Sequence, residues 1–253
     1  MPRLPFDTSM AGPLDDVPIT SKSAVLGARS EEPAERKESF QVLIAAYWKP
    51  VYKVIRMRWG KTNEDAKDLT QEFFARAMEK DFFGSYDPAR SRFRTFIMVC
   101  LKGFLANQDV AAHRLKRGGQ HQVLTMDFAT AEGELAHADP AAPETPEAYF
   151  EQEWIRSLFV AAVDRLRGEC AARGKDLQLR LFERYDLAES GQLRPTYADL
   201  AQESGISLAD VNNHLVAIRK RFRLVLLTEL RRITASDQEF RDEAREILGE
   251  GAP

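Results

Sequence analysis

From residue 35 onward, apolar residues recur at helical spacing between short polar breaks. Phe40, Leu43, Ile44, Tyr47, Val51, Val54 and Ile55 predict a helix over 35–58, which Pro50 is expected to kink or divide. Ala66, Leu69, Phe73 and Ala77 repeat the spacing and predict a second helix over 63–80. The run FGSYDPARSR then breaks the pattern with Gly84, Ser85, Asp87 and Pro88. Phe93, Phe96, Ile97, Cys100, Leu101, Phe104 and Leu105 line one face of a long helix over 93–117, stopped by Gly118 and Gly119. Further helical patterns cover 146–173, 176–187, 196–203 and 207–233, and the tail SDQEFRDEAREILGE has room for one more. Strand-like alternation is scarce, so the expected class is all-α.

The breaks suggest an organisation. Residues 1–34 are rich in Pro, Ser and Asp and read as a flexible N-terminal extension. Residues 119–147 are acidic, rich in Ala and Pro, and read as a linker. Two small helical domains, 35–118 and 148–233, are therefore expected, followed by a tail helix in 234–253. A chain of 253 residues with 44% hydrophobic and 30% charged residues can bury such cores.

Cys100 and Cys170 lie far apart without CxxC spacing, which points to a reducing compartment and away from a disulfide or thiolate–metal framework. No apolar run approaches 18 residues and MPRLPFDTSM lacks a signal-peptide plan, so a cytoplasmic protein without membrane insertion is expected. His113, His121, His137 and His214 show no metal spacing, and no phosphate cradle or nucleophile elbow is present. An enzyme, a metal and a cofactor are all unexpected.

Charge alters the picture more than composition does. The net charge of −3 hides one basic cluster from Arg90 to Arg117 and another from Arg219 to Arg232. The second belongs to TYADLAQESGISLADVNNHLVAIRKRF, in which Tyr197, Leu200 and Ala201 pack one short helix and Gly205 permits a tight turn. Ser207 can cap the next helix, and Val211, Leu215 and Ile218 mark its buried face. That is helix-turn-helix grammar, which an ordinary αα-corner also satisfies. In the DNA-binding reading, Asp210, Asn212, Asn213 and His214 face outward, and Arg219, Lys220 and Arg221 follow as phosphate contacts.

On the helix over 63–80, Asp65, Asp68, Glu72 and Glu79 share a face away from the apolar stripe. This is either a solvated acidic face or a docking surface for a basic partner. Downstream, RSRFRTFIMVCLKGFLANQDVAAHRLKR interleaves basic residues with Phe93, Phe96 and Phe104, a mixture suited to unstacked bases and equally to a core.

Taken together, DAKDLTQEFFARA (65–77), FRTFIMVCLKGFLAN (93–107) and SLADVNNHLVAIRKRF resemble, in order and separation, motifs of bacterial RNA polymerase sigma factors of the extracytoplasmic function (ECF) group. The resemblance covers roughly 40–117 and 148–233. It implies a protein that binds core RNA polymerase through its β′ and β subunits, directs it to promoter DNA and helps melt the −10 region. The acidic helix would dock on a β′ coiled coil through Asp65, Asp68 and Glu72, with Lys67 standing where the family motif carries an acid. The loop 83–92 would capture a flipped −10 base. Tyr86, Arg90, Arg92, Arg94, Lys102, Asn107, Arg114 and Arg117 would serve the −10 region, and the helix-turn-helix would serve the −35 element.

The acidic linker would thread toward the polymerase active-site cleft. The extra N- and C-terminal segments and the DLTQEFF and FLANQ wording resemble a subset associated with serine/threonine kinases. Thr62 and Thr70 thus become candidate phosphorylation sites, and an anti-sigma factor a candidate partner. Thr70 lies about 200° around the helix from Asp68 and Glu72, beside Leu69 and Phe73, which suggests packing; Thr62 stands at the expected N-cap. The rival is a helix-turn-helix regulator that binds promoter DNA without acting as a polymerase subunit.

Overall fold

The computed structural model describes residues 23–79, 82–111, 126–135, 145–188 and 194–249. They form α1 (Ala24–Gly27), α2 (Pro33–Arg58), α3 (Asn63–Glu79), a 3-10 turn (Phe82–Ser85) and α4 (Phe93–Ala111). After these come α5 (Phe128–Leu135), α6 (Pro146–Ala172), α7 (Asp176–Asp186), α8 (Tyr197–Ser204), α9 (Leu208–Arg232) and α10 (Asp237–Leu248). Among the described residues there is no strand.

The chain divides into two compact units. The first takes the described parts of Thr20–Leu158 and Arg231–Phe240; the second takes those of Phe159–Leu230 and Arg241–Pro253.

In the first unit, α2 packs against α1, α3 and α5. Its apolar residues recur as expected, and Pro50 does not divide it. The core is largely aromatic. Tyr47 meets Phe93 edge-on at 5.6 Å and stacks on Trp154 at 6.4 Å, while Phe40 stacks on Phe83 at 5.0 Å. On α3 the buried stripe is Ala66, Thr70, Phe73, Phe74 and Ala77. Both phenylalanines of the FF pair therefore face the core, whereas Leu69 is only half-buried. Burying each ring contributes about 1.5–3 kcal/mol, which holds α3 in place despite its charged outer face.

Three segments differ from the expectations. Ala24, Val25 and Ala28, inside the expected flexible extension, are buried. Ser23 Oγ donates to the Thr234 carbonyl (2.7 Å), so this short strap is fastened at its start. Within the expected linker, Phe128–Leu135 is a helix seated on α2, because Phe128 and Ala131 give it an apolar edge too short to stand out as a period. Tyr149, Phe150 and Trp154, at the expected start of the C-terminal domain, pack into the first unit.

The second unit has a core of Leu181, Leu200, Val211 and Leu215, edged by Leu177, Tyr185, Tyr197, Ala201 and Ile206. Phe222 extends it, with its ring 5.2 Å from Phe182 and 5.9 Å from Phe159.

Candidate nucleic-acid and partner surfaces

In the second unit, α8 and α9 each start on reciprocal side-chain caps. Thr196 Oγ1 accepts from Asp199 N (3.2 Å) while the Asp199 carboxylate accepts from Thr196 N (2.8 Å). Ser207 and Asp210 repeat this at 3.1 and 3.3 Å. Hydrogen bonds from the Thr196 backbone and hydroxyl hold Asp199 below the usual carboxylate range; those from the Ser207 hydroxyl and backbone do the same for Asp210. Between the helices Gly205 takes φ 65°, a left-handed conformation that ends α8 and is nearly free of cost only for glycine.

This geometry sorts the expected −35 residues. Asn212 and Asn213 are exposed, and with Ala209, Val216 and Lys220 they follow three- and four-residue steps along one outward face of α9. Val216 was not among the expected residues; its apolar side chain is 55% exposed. Asp210 belongs to the cap. His214 is half-buried, its Nδ1 3.2 Å from Gln178 Nε2. Arg219 is turned inward: its guanidinium donates twice to Asp186 (2.9 and 3.0 Å), whose side chain is 1% exposed. Arg194 completes the ion group at 3.1 Å and lies 3.9 Å above the Tyr185 ring. Arg221 pairs with Glu169 at 2.6 Å. Arg219 is thus a core-edge residue rather than a free phosphate contact, because buried Asp186 requires a countercharge.

In the first unit, Thr62 caps α3 as expected: its hydroxyl accepts from Asp65 N (3.2 Å) and donates to the Asp65 carboxylate (2.8 Å). Asp65 and Asp68 are exposed, and Glu72 is half-buried and paired with Arg76. Lys67 pairs with Glu64 at 2.8 Å. The acidic ridge therefore lies opposite the FF pair, on a helix anchored by its other face. Thr70 is fully buried, and its hydroxyl donates to the Ala66 carbonyl (2.7 Å), which removes it from the reach of a modifying enzyme in this fold.

Two of the expected −10 residues are also interior. Tyr86 is 2% exposed, donates to the Ser91 carbonyl (2.8 Å) and lies edge-on to Phe93 at 5.0 Å. Burial raises its pKa well above the ordinary phenol value. Arg94 is buried between Glu151 (2.6 Å) and the Trp154 ring (5.0 Å). An aromatic or basic residue in this run could belong to either surface or core, and these two belong to the core. Arg90 is exposed and Arg92 half-buried. Along α4, Lys102 and Asn107 are exposed beside Val99, Gly103 and Ala106, with Lys102 paired to Glu147. Arg114 and Arg117 lie outside the described residues.

The loop 83–92 is braced from both extensions. Arg29 Nε donates to the Phe83 carbonyl (3.1 Å), and its guanidinium stands 5.8 Å from the Tyr86 ring centre. From the other end of the chain, one oxygen of buried Glu239 accepts from Phe93 N (2.6 Å), the other from Ala235 N (2.7 Å). Sequence reasoning missed Glu239. Its signal was the S-x-x-E spacing from Ser236, whose hydroxyl accepts from Glu239 N (3.1 Å).

Among the described residues no group of three or more His, Cys, Asp or Glu is placed to hold a metal ion, and no helix is long and apolar enough to cross a membrane. Comparisons with protein-family models, curated proteins and solved structures find no match.

Proposed function

We propose that the protein is an ECF-type sigma factor: it binds core RNA polymerase, directs it to promoters and assists melting of the −10 region. The observation that carries the proposal is the outward face of α9, where Asn212, Asn213, Val216 and Lys220 follow a glycine-hinged turn. Asparagine can pair with adenine edges, valine can cover a thymine methyl group, and lysine can meet phosphate. In this reading α8, the Gly205 turn and α9 are a helix-turn-helix that reads the −35 element. Asp65, Asp68 and Glu72 offer the polymerase a carboxylate ridge on a well-anchored helix. Arg90 and Arg92, with Lys102 and Asn107 on α4, remain the described candidates for the melted strand; Tyr86 and Arg94 support them from within.

The α9 face also favours a second reading, a regulator that binds promoter DNA without polymerase. Transcription in vitro with core polymerase and the promoter of the protein's own operon separates the two. A sigma factor gives transcripts that depend on the chain and vanish in Asp65→Arg/Glu72→Arg. Absence of core binding, together with tight duplex binding by the chain alone, selects the regulator. Asn212→Ala/Asn213→Ala should abolish promoter choice in either case.

A further inference from the structure

The face of α2 beneath α5 combines two rings with a set of cations. Trp48 and Tyr52, one turn apart, flank the Phe128 ring at 5.3 and 5.1 Å. On one side Tyr52 Oη (2.5 Å) and Arg56 (2.8 Å) both donate to the Glu132 carboxylate. On the other side Lys49 (2.8 Å) and Lys53 (2.7 Å) hold Glu134. The covering helix thus places an aromatic ring between two aromatic residues and two negative charges on two cationic seats. A single nucleic-acid strand presents the same sequence of chemistry, a flat base between phosphates.

The cover itself is slight. Eight residues are too few for an independently stable helix, so docking alone holds it. Two of its three ion pairs with α2 are partly solvated on both sides, with side-chain exposures of 18% for Lys49, 30% for Arg56 and Glu132 and 33% for Glu134. Such contacts are weak and screened by salt. Among the cations only Lys53 is enclosed, and Glu153 at 2.6 Å neutralises it whether or not α5 is in place.

We infer that this face of α2 is a binding site for single-stranded nucleic acid, which α5 occupies in the free protein as an internal mimic. The inference extends the proposed role in promoter melting, yet it concerns the chain alone and does not depend on polymerase recruitment. A melted strand displaces α5, a base enters between Trp48 and Tyr52, and phosphates take the seats of Glu132 and Glu134. Uncovering the site and engaging DNA then become one event.

The test uses the full chain and a fluorescein-labelled DNA strand of about 12 nucleotides, read by anisotropy at low salt. Phe128→Ala/Glu132→Gln/Glu134→Gln removes the mimic's contacts. It should bind roughly tenfold more tightly than the unaltered chain, as for a cover closed in about nine molecules of ten. Adding Lys49→Glu/Arg56→Glu should cancel the gain. The affinity should fall with salt at a slope near −1.4, about −0.7 for each of two phosphates.

Glu31→Gln/Glu79→Gln, which removes as much charge from exposed positions, serves as the control. If it tightens binding equally, the effect is net charge and the inference fails. It fails too if the uncovered variant binds no better, or if a peptide spanning 126–136 binds the uncovered variant while DNA does not, because the face is then an internal clasp only. Helical circular dichroism matching the unaltered chain confirms that each variant is folded. A protein silent in transcription but strand-binding in this assay would refute the sigma reading and leave this inference standing.

Discussion

Replacing Arg219 with methionine separates a structural arginine from a DNA-reading one. Asp186 has a side-chain exposure of 1% and Arg219 of 12%, and two hydrogen bonds of 2.9 and 3.0 Å join them. Removing one partner of a buried pair costs about 3–5 kcal/mol, since the other charge stays behind without compensation. Arg194 still reaches Asp186 at 3.1 Å but is 43% exposed and screened, which places the loss near 3 kcal/mol. With a urea dependence of about 1–3 kcal/mol per molar, the midpoint should drop by ~1–3 M. Urea titration followed by far-ultraviolet circular dichroism measures this directly.

Below the transition, the promoter-duplex binding that the proposed function calls for should keep its salt slope, whereas loss of a true phosphate contact lowers the slope by about 0.9. Asp186→Leu/Arg219→Met should recover most of the stability, because an apolar pair needs no countercharge. A midpoint within about 0.3 M of the unaltered chain, with a reduced salt slope, would refute the reasoning and return Arg219 to the DNA contacts.

Three further outcomes are expected. Glu239→Ala leaves the buried amide of Phe93 and the partly buried amide of Ala235 without their acceptor, at about 1–3 kcal/mol for the first and less for the second, and hydrogen exchange at both amides should accelerate while Leu215 is unaffected. Gly205→Ala forces a side chain into φ 65° and should destabilise the second unit by about 1 kcal/mol in thermal unfolding, although nothing within 4 Å would obstruct the added carbon. Burial alone would raise the pKa values of Glu132 and Glu134, but hydrogen bonds from Tyr52 and Arg56, and from Lys49 and Lys53, outweigh it and hold both below the ordinary value. Depressed carboxylates stabilise docking fully above the unfolded pKa near 4.3 and lose that contribution as pH falls through their folded values. Acidification from pH 5 to pH 3 should therefore release α5 from Trp48, visible in Trp fluorescence; Glu132→Gln/Glu134→Gln should abolish this step.

The periodic helices were legible because each buries one stripe against a core, and the spacing of that stripe survives in the chain. The tight turn before α9 was equally readable, since Gly205 and the Ser207 cap are local. What stayed hidden depended on partners distant in sequence. Arg219 reads as a surface cation until Asp186 is found beside it, 33 residues away. Tyr86 and Arg94 share the composition of a DNA-binding run, and only the packing of Phe93 and Trp154 shows which way they point. Helix α5 has one aromatic residue and two carboxylates, too little for a period. Its position follows from Trp48, Lys49, Tyr52, Lys53 and Arg56 on α2, a stripe of rings and cations readable at four-residue steps but overlooked beside the stronger apolar pattern.

The hydrogen bond from Ser23 to Thr234 joins residues 211 positions apart, and this has a temporal side. At synthesis rates of about 5–20 residues per second, the strap waits ~10–40 s on the ribosome before its counterpart exists. Glu239, the acceptor for the first amide of α4, arrives later still. Throughout that interval the loop 83–92 can be made but lacks its brace from Glu239, and Ser23 lacks its acceptor. The first unit thus reports on completion of the chain: only a polypeptide translated past Glu239 can close it, and a product cut short before that residue would leave Arg90 and Arg92 on a loop that lacks its C-terminal brace.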